Sequence, residues 1–507
     1  MFPVIFLADL QFSTDLCAIF SLTVLFALFI LTKLLYNIFV SVLVFFLEQF
    51  LLFMTDLFVC LDPGGSQTKI IYQLEGDEKP RYLLMSPEVE EISQESFDFY
   101  FNSKGWIGYP DPIQQAWIQV DKKIYVVGAF ANHFDPSDRL KELKYENALY
   151  KVLAALGVIV EKHDLPHKKK LKFQLALLLP ANEYNDRQRF IERLAQLLEN
   201  FSFRGKVVRF KMERFLCRPE GGGLISIAVI RHGIDWLRER KVGVLMLGHR
   251  NVSALYFESG EMKKIDSPLI GFSGFLDGVV ALTSGLEREK LNRAIFQSLD
   301  AAGNSILVRR TLSLVEKERR NYTKRPNWKE YDPIRDLASA SDYKLWKSEL
   351  TQIVDAIESM RSQYWSKLEK WLNRTFKESL DAVVISGGAA RFLEPELESY
   401  FNCEPIFELD NGFDKSKEQG YVRTDEYRVL ESHIPFTPII WGAGLQEEIK
   451  KTFDLTTSSG KNKSLSYRLV DAYGLFDQLL SKNLRERQSS SSLEAKASTS
   501  EDSKVER

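Results

Sequence analysis

Four cysteines are few for a chain of 507 residues, and Cys17, Cys60, Cys217 and Cys403 stand at no metal-binding or redox spacing. Neither a disulfide scaffold nor a structural metal is implied, so a reducing, cytoplasmic setting is the expectation. Charge of one sign is lacking too, since 67 basic residues face 69 acidic ones. Whole-protein charge therefore points to neither a nucleic-acid nor a membrane partner. The basic run from Arg309-Arg310 to Arg319-Arg320 is interleaved with acids, which favours an exposed helix face over a nucleic-acid groove. Histidines number six. His163 and His167 have the spacing of a helical metal pair, but Pro166 spoils the helix, and a solvated loop is expected. Ser459-Gly460-Lys461 lacks the glycine four residues before its Gly-Lys that a P-loop needs.

What the chain does have begins with apolar sequence. Leu16–Thr32 is an uncharged run of 17 residues, and a second run of 14 covers Leu34–Leu47. Such lengths suit one long or two short membrane helices. Yet the next segment enters a core-like strand near Phe58 with almost no linker, and Met54-Thr-Asp-Leu-Phe-Val would make a natural soluble N-terminus. The expectation is that Met54 is the start and that residues 1–53 belong to an over-extended reading frame; the alternative is a real anchor.

From residue 54 strands and helices alternate, in the pattern of an α/β protein with two related halves, each opening on a hairpin. The pattern predicts strands at Ile124–Val127, Lys172–Leu179, Val207–Phe210, Val242–Leu247, Val252–Phe257 and Ala382–Ile385. It predicts helices at Tyr145–Leu156, Asp186–Leu198 and roughly Asp342–Leu380, whose Trp346, Trp365 and Trp371, with Trp328 before them, read as packing residues. Residues 76–120 read as polar and aromatic-rich. The expected division is 54–240 for a first domain and 241–450 for a second, with a return to the first near 430–450. A helical extension at 451–488 and a disordered Ser/Lys/Glu-rich tail at 489–507 complete it.

The sharpest local signal is Phe58-Val-Cys-Leu-Asp-Pro-Gly-Gly-Ser-Gln-Thr-Lys69. An apolar strand ends on one carboxylate, turns through two glycines and returns through Thr68-Lys69. Glycines let backbone N–H groups approach a small anion. The carboxylate suits a hydrated Mg²⁺ and the lysine a phosphate. Asp62, Gly64, Gly65, Ser66, Gln67, Thr68 and Lys69 thus form a candidate phosphate clamp; the plain alternative is a Gly-Gly hairpin turn with a surface lysine. Two further glycine turns follow strands, at Gly248–Ser253 and at Gly387-Gly388.

Taken together these motifs resemble the actin-like ATPases, and most closely the ParM/StbA type of plasmid-segregating actins. Asp62-x-Gly64-x-x-x-x-Lys69 matches the first phosphate motif and Val383-Val-Ile-Ser-Gly-Gly-Ala-Ala390 the adenosine motif. Leu178-Leu-Pro180 with Glu183-Tyr184, Pro219-Glu220-Gly221, and Ser267-Pro-Leu-Ile-Gly-Phe-Ser-Gly-Phe resemble the connecting segments. The resemblance implies a duplicated, ribonuclease H-like fold with two domains around a nucleotide cleft. It implies ATP or GTP with Mg²⁺ as cofactors, Asp62 holding the metal indirectly and Lys69 on the β/γ-phosphates. Glu220 would position the attacking water, and Gly387 with Gly388 would line the adenosine pocket. Gly248, Arg250 and Asn251 would form the second phosphate turn, Arg250 lying against phosphate or standing as a solvated turn residue. One departure stands out: the family's aspartate at the end of the second hairpin strand is Met246 here. A thioether serves a hard cation poorly and cannot orient water. Nucleotide binding with slow or lost hydrolysis is therefore expected. Self-association into filaments, plasmid or DNA segregation through a DNA-bound adaptor, and no direct nucleic-acid contact are what the resemblance implies. A kinase of the same superfamily, a membrane-tethered actin-like scaffold and a non-polymerising nucleotide sensor remain the alternatives.

Mass spectrometry of the native protein is expected to yield no tryptic peptide spanning Asp15–Lys33; its detection would overturn Met54 as the start.

Overall fold

The computed structural model describes residues 55–103, 110–134, 144–166, 170–302, 332–401, 437–455 and 465–483, together with Lys33. The expectations for the rest of residues 1–54, for Cys17, His167, Arg309–Arg320, Trp328, Cys403, Ser459–Lys461 and the 489–507 tail fall outside the described residues. The described residues from Asp56 onward belong to one compact unit, which holds everything that follows. Among the described residues no helix is long and apolar enough to cross a membrane.

β1 (Leu57–Pro63) is buried at all seven positions. Side chains of a strand alternate between faces, so Leu57, Val59 and Leu61 enter one core while Phe58 and Cys60 enter another. Asp62 continues the second series. β11 (Val242–Leu247) repeats the arrangement: Leu245 and Leu247 face one core, and Val242, Val244 and Met246 share the core of Phe58 and Cys60.

Those two strands organise two sheets of one topology. β1, β2 (Thr68–Leu74) and β3 (Arg81–Met85) form an antiparallel meander. β7 (Leu171–Leu179) and β10 (Phe210–Pro219) extend it in parallel from the free edge of β1, giving the order β10-β7-β1-β2-β3. β11, β12 (Val252–Glu258) and β13 (Glu261–Asp266) form the second meander. β14 (Ala382–Ser386) and β15 (Ile439–Trp441) add in parallel, giving β13-β12-β11-β14-β15. The same order twice is the duplicated, ribonuclease H-like α/β architecture expected from the sequence.

Two helices lie between the sheets, Gly222–His232 and residues 465–483. Leu224, Ile227, Leu469 and Leu475 join the central core with the inner faces of β1 and β11. Glycine permits their crossing. A Cβ on Gly223 would lie 1.9 Å from the Asp471 carbonyl oxygen, and one on Gly474 would lie 2.3 Å from that of Gly223.

One expectation needs correction. The predicted strand at Val207–Phe210 is divided, because the chain leaves β9 (Lys206–Val208) and starts the ten-residue β10 in a different sheet. A bulge between Met212 and Arg214 shifts the register of β10, which breaks the period-two pattern by which a strand is read. The described residues within 76–120, polar and aromatic-rich by composition, form regular elements. They carry β3, β4 (Val89–Ile92), the Gln94–Ser103 helix and β5 (Ala116–Val120). With β6 (Lys123–Val127), β8 (Phe201–Phe203) and β9, β4 and β5 build a third sheet, β4-β6-β5-β8-β9, antiparallel throughout. It packs on the Lys144–Lys162 helix, which covers the outer face of the first sheet.

Substituting Gly223→Ala is expected to cost about 1–3 kcal/mol through overpacking, read by urea unfolding. Gly274→Ala, in the helix Phe272–Leu282, meets no atom within 4 Å and is expected to be neutral or to stabilise by up to about 1 kcal/mol.

Candidate phosphate-binding cleft

The two hairpin turns are built alike. Gly64–Gln67 join β1 to β2, and Asp62 faces Lys69 across the ladder. Gly248–Asn251 join β11 to β12, and Met246 faces Ser253. A Cβ on Gly64 would lie 2.7 Å from the Gln67 carbonyl oxygen, and one on Gly248 would lie 2.7 Å from that of Asn251. Met246 thus occupies the position of Asp62, and Ser253 that of Lys69. The turns also meet, for a Cβ on Gly65 would stand 3.2 Å from Arg250 Cβ.

Every residue singled out in the sequence as a site residue lines one cleft between the two sheets, except Thr68 and Arg250. Thr68 is fully buried, and strand alternation puts it with Ile70 and Tyr72 on the face of β2 away from Lys69. Arg250 packs its stem on Gly65, and its carbonyl accepts from Gly271 N at 3.1 Å. Gly387 closes the far wall with φ +107°; a Cβ there would lie 2.3 Å from the Leu247 carbonyl oxygen. Only glycine lets the turn after β14 come this close to β11.

Charge in the cleft is held in two buried pairs. Lys69 Nζ donates to Asp62 Oδ2 at 2.5 Å, the two residues being 7% and 4% exposed. Lys144 Nζ donates to Glu220 Oε1 at 2.7 Å and to Asn251 Oδ1 at 2.9 Å. The other oxygen of Glu220 accepts from Asn251 Nδ2 at 2.9 Å and from Ser253 Oγ at 3.0 Å. Ser267 joins both, at 2.6 Å from Asn251 Nδ2 and 2.8 Å from Ser253 Oγ. Burial would push the Glu220 carboxyl up, but Lys144 and the hydrogen bonds from Asn251 and Ser253 outweigh it and hold the pKa below its ordinary value. Glu220 is therefore an anion with both oxygens engaged.

Four polar cleft residues escaped the site assignment made from sequence. Lys144 opens the Lys144–Lys162 helix, whose first turn is fixed by Tyr145 N donating to Glu183 Oε2 at 2.8 Å. Arg468, on the 465–483 helix, donates to Gln67 Oε1 at 2.9 Å. Asn292 lies near Phe296 in the cleft wall, and its Oδ1 is buried with no hydrogen-bond partner among the described residues. His249 also lines the cleft, and its Nε2 lies 3.3 Å from Arg288 Nη2. Burial, then Arg288 and Arg468, push its pKa down to about 4.

These features can be tested against the ligands the motifs imply. The glycine turns offer backbone without side chains in the way, two lysines supply mobile positive charge, and Asn292 offers an acceptor to an amino group of a base. That set fits a nucleotide. For Mg²⁺ the fit is thinner: Asp62 is a hard oxygen donor, but Met246 is not. Among the described residues no group of three or more His, Cys, Asp or Glu side chains is placed to hold a metal. Asp62 suits contact with a hydrated ion through water rather than a protein cage.

No protein-family model matches the chain, and no curated protein matches it. Among solved structures it is similar to the apo pSK41 ParM protein, with a TM-score of 0.43 and 11% identity over 85% of this chain and 99% of that one. It is similar to the Alp12 filament structure, with a TM-score of 0.41 and 12% identity over 85% and 100%. The archaeal actin homologue Ta0583 gives a TM-score of 0.43 and 12% identity over 84% and 98%. At such scores the likeness adds no weight to the strand order. That order, repeated on either side of a cleft that receives both hairpin turns, makes the fold actin-like.

The depressed His249 predicts that its ring stays neutral well into acid. The unfolded chain binds a proton as pH falls through about 6.5 and the folded chain does not until about 4, so this residue lowers stability across that window as pH falls. An NMR titration, with His249→Gln for assignment, should show no shift of its ring signals between pH 8 and 5.

Proposed function

We propose that this chain is an actin-like nucleotide-binding protein that assembles into filaments and turns over ATP slowly, if at all. The observation that carries the reading is the convergence of Gly64–Lys69, Gly248–Asn251 and Gly387-Gly388 on one cleft with two buried lysine–carboxylate pairs. Slow turnover is supported by Met246 at the position of Asp62. The cavity is about 170 Å³, below the roughly 300–1,000 Å³ of ordinary ligand sites. A nucleotide would require the two halves to part, and such a movement is how nucleotide state reaches subunit contacts. Assembly, plasmid or DNA segregation as the task and a DNA-bound adaptor as partner rest on the motif resemblance, and a cytoplasmic location on the scattered cysteines.

The test is nucleotide-dependent light scattering and sedimentation, with thermal unfolding as the binding measurement. ATP or GTP at about 100 times its Kd should add roughly 2.7 kcal/mol to unfolding and bring protein into the pellet. The double variant Asp62→Ala/Lys69→Ala removes both charges together, so that neither is stranded, since a lone buried charge costs about 3–5 kcal/mol. It should fold and lose both responses. A parent chain that is neither stabilised nor sedimented by any nucleoside triphosphate would sink the reading.

A further inference from the structure

Lys144 stands where the two halves and the cleft meet. Its helix belongs to the first half, Glu220 directly follows β10 of the same half, and Asn251 belongs to the turn of the second. One ammonium thus ties the turn of one sheet to the carboxylate of the other. It is 8% exposed and lines the cleft beside Asp62, Lys69 and Gly248.

The second hairpin carries no charge at the paired positions that face the cleft. At the positions of Asp62 and Lys69 it has Met246 and Ser253, and Ser253 Oγ instead donates to Glu220. The Lys144–Glu220 pair fills the role there that Asp62–Lys69 fills at the first hairpin. A buried ammonium keeps its charge only beside an anion. An entering triphosphate brings more negative charge than one carboxylate and competes for it through charge-assisted hydrogen bonds. The exchange opens two acceptors, Glu220 Oε1 and Asn251 Oδ1, both of which lose Lys144. Glu220 Oε2 keeps Asn251 Nδ2 and Ser253 Oγ, and Oε1 becomes an open acceptor within the cleft.

Building on the nucleotide reading above, we propose that Lys144 is the residue that senses the terminal phosphate. In the ligand-free cleft it latches Glu220 to Asn251. On binding a nucleoside triphosphate its ammonium moves to the terminal phosphate, which frees Glu220 Oε1 to accept from water and releases the direct tie to the second hairpin. A diphosphate does not reach Lys144 and leaves the latch closed. Lys144 contacts the ligand in this scheme, and Glu220 is its counterweight.

The experiment measures Kd for ADP and for a non-hydrolysable ATP analogue, by displacement of a fluorescent nucleotide from the full chain. Lys144→Met should weaken the triphosphate by about 10- to 100-fold, the range of one charge-assisted hydrogen bond, and leave the diphosphate nearly unchanged. Glu220→Gln loosens the competitor and should tighten the triphosphate several-fold, the opposite sign. Should Lys144→Met fail to melt cooperatively, Lys144→Met/Glu220→Gln removes both charges and should lack the triphosphate preference of the parent. A triphosphate-to-diphosphate ratio that is unchanged in the folded lysine variant, or equal loss of both ligands, overturns the role of Lys144 and leaves nucleotide binding standing. A parent chain that binds neither ligand overturns both readings.

Discussion

Four charges taken out of water at one place constrain the rest of this molecule. Asp62, Lys69, Lys144 and Glu220 are each under a tenth exposed, where an ion survives only with its counter-ion and hydrogen bonds in place. That requirement explains residues that otherwise look arbitrary. Glu183 holds the first turn of the helix that delivers Lys144. Asn251 accepts from that lysine and donates to Glu220, and Ser253 and Ser267 complete the ring. Lys151, two turns further along the Lys144 helix, shows the strain of the same neighbourhood: burial and then Lys144 push its pKa down to about 8.

The duplication gives both halves one backbone and different chemistry. Both turns have four residues and a leading glycine on which a Cβ would stand 2.7 Å from the last carbonyl oxygen. At the first, strand alternation presents a carboxylate and a lysine to the cleft; at the second it presents a thioether and a hydroxyl. Because Met246 lies in the central core with Val244, it is also a packing residue there. The polar work on that side has passed to Asn251 and Ser253, which are neutral, and to a lysine and a glutamate borrowed from the other half.

How much of this was legible in the sequence follows from distance along the chain. The Asp62–Lys69 hairpin was readable because strand, turn and both charges sit in one segment, and Gly387-Gly388 because a buried strand runs straight into it. Met246 was readable for the same reason, as a departure inside a local pattern. Thr68 was assigned to the phosphate side with its neighbours, although adjacent residues in a strand face opposite ways. Lys144 and Arg468 left no local trace; their partners lie 76 and 401 residues away, and a lone basic residue in a helix looks like any other. The third sheet was hidden because its strands are three to five residues long and come from two distant stretches. β10 was hidden by its bulge.

The glycine run after Glu220 has a role that composition alone does not convey. Gly221 N and Gly223 N donate to the two carboxylate oxygens of Asp471 at 2.7 and 2.8 Å, and Leu224 N to one of them at 3.2 Å. The first turn of the Gly222–His232 helix is thereby clamped by a side chain from the 465–483 helix, and the unsubstituted Cα atoms allow the approach. Glu220 N is itself tied to the Leu179 carbonyl at 2.8 Å. The glutamate thus sits on backbone fixed from both sides. Its partner does not, for a lysine carries its charge on a flexible four-carbon stem. When charge in the cleft is rearranged, the carboxylate stays and the ammonium moves. That asymmetry, set by three glycines and an aspartate from the far end of the chain, gives the cleft one fixed pole and one movable one.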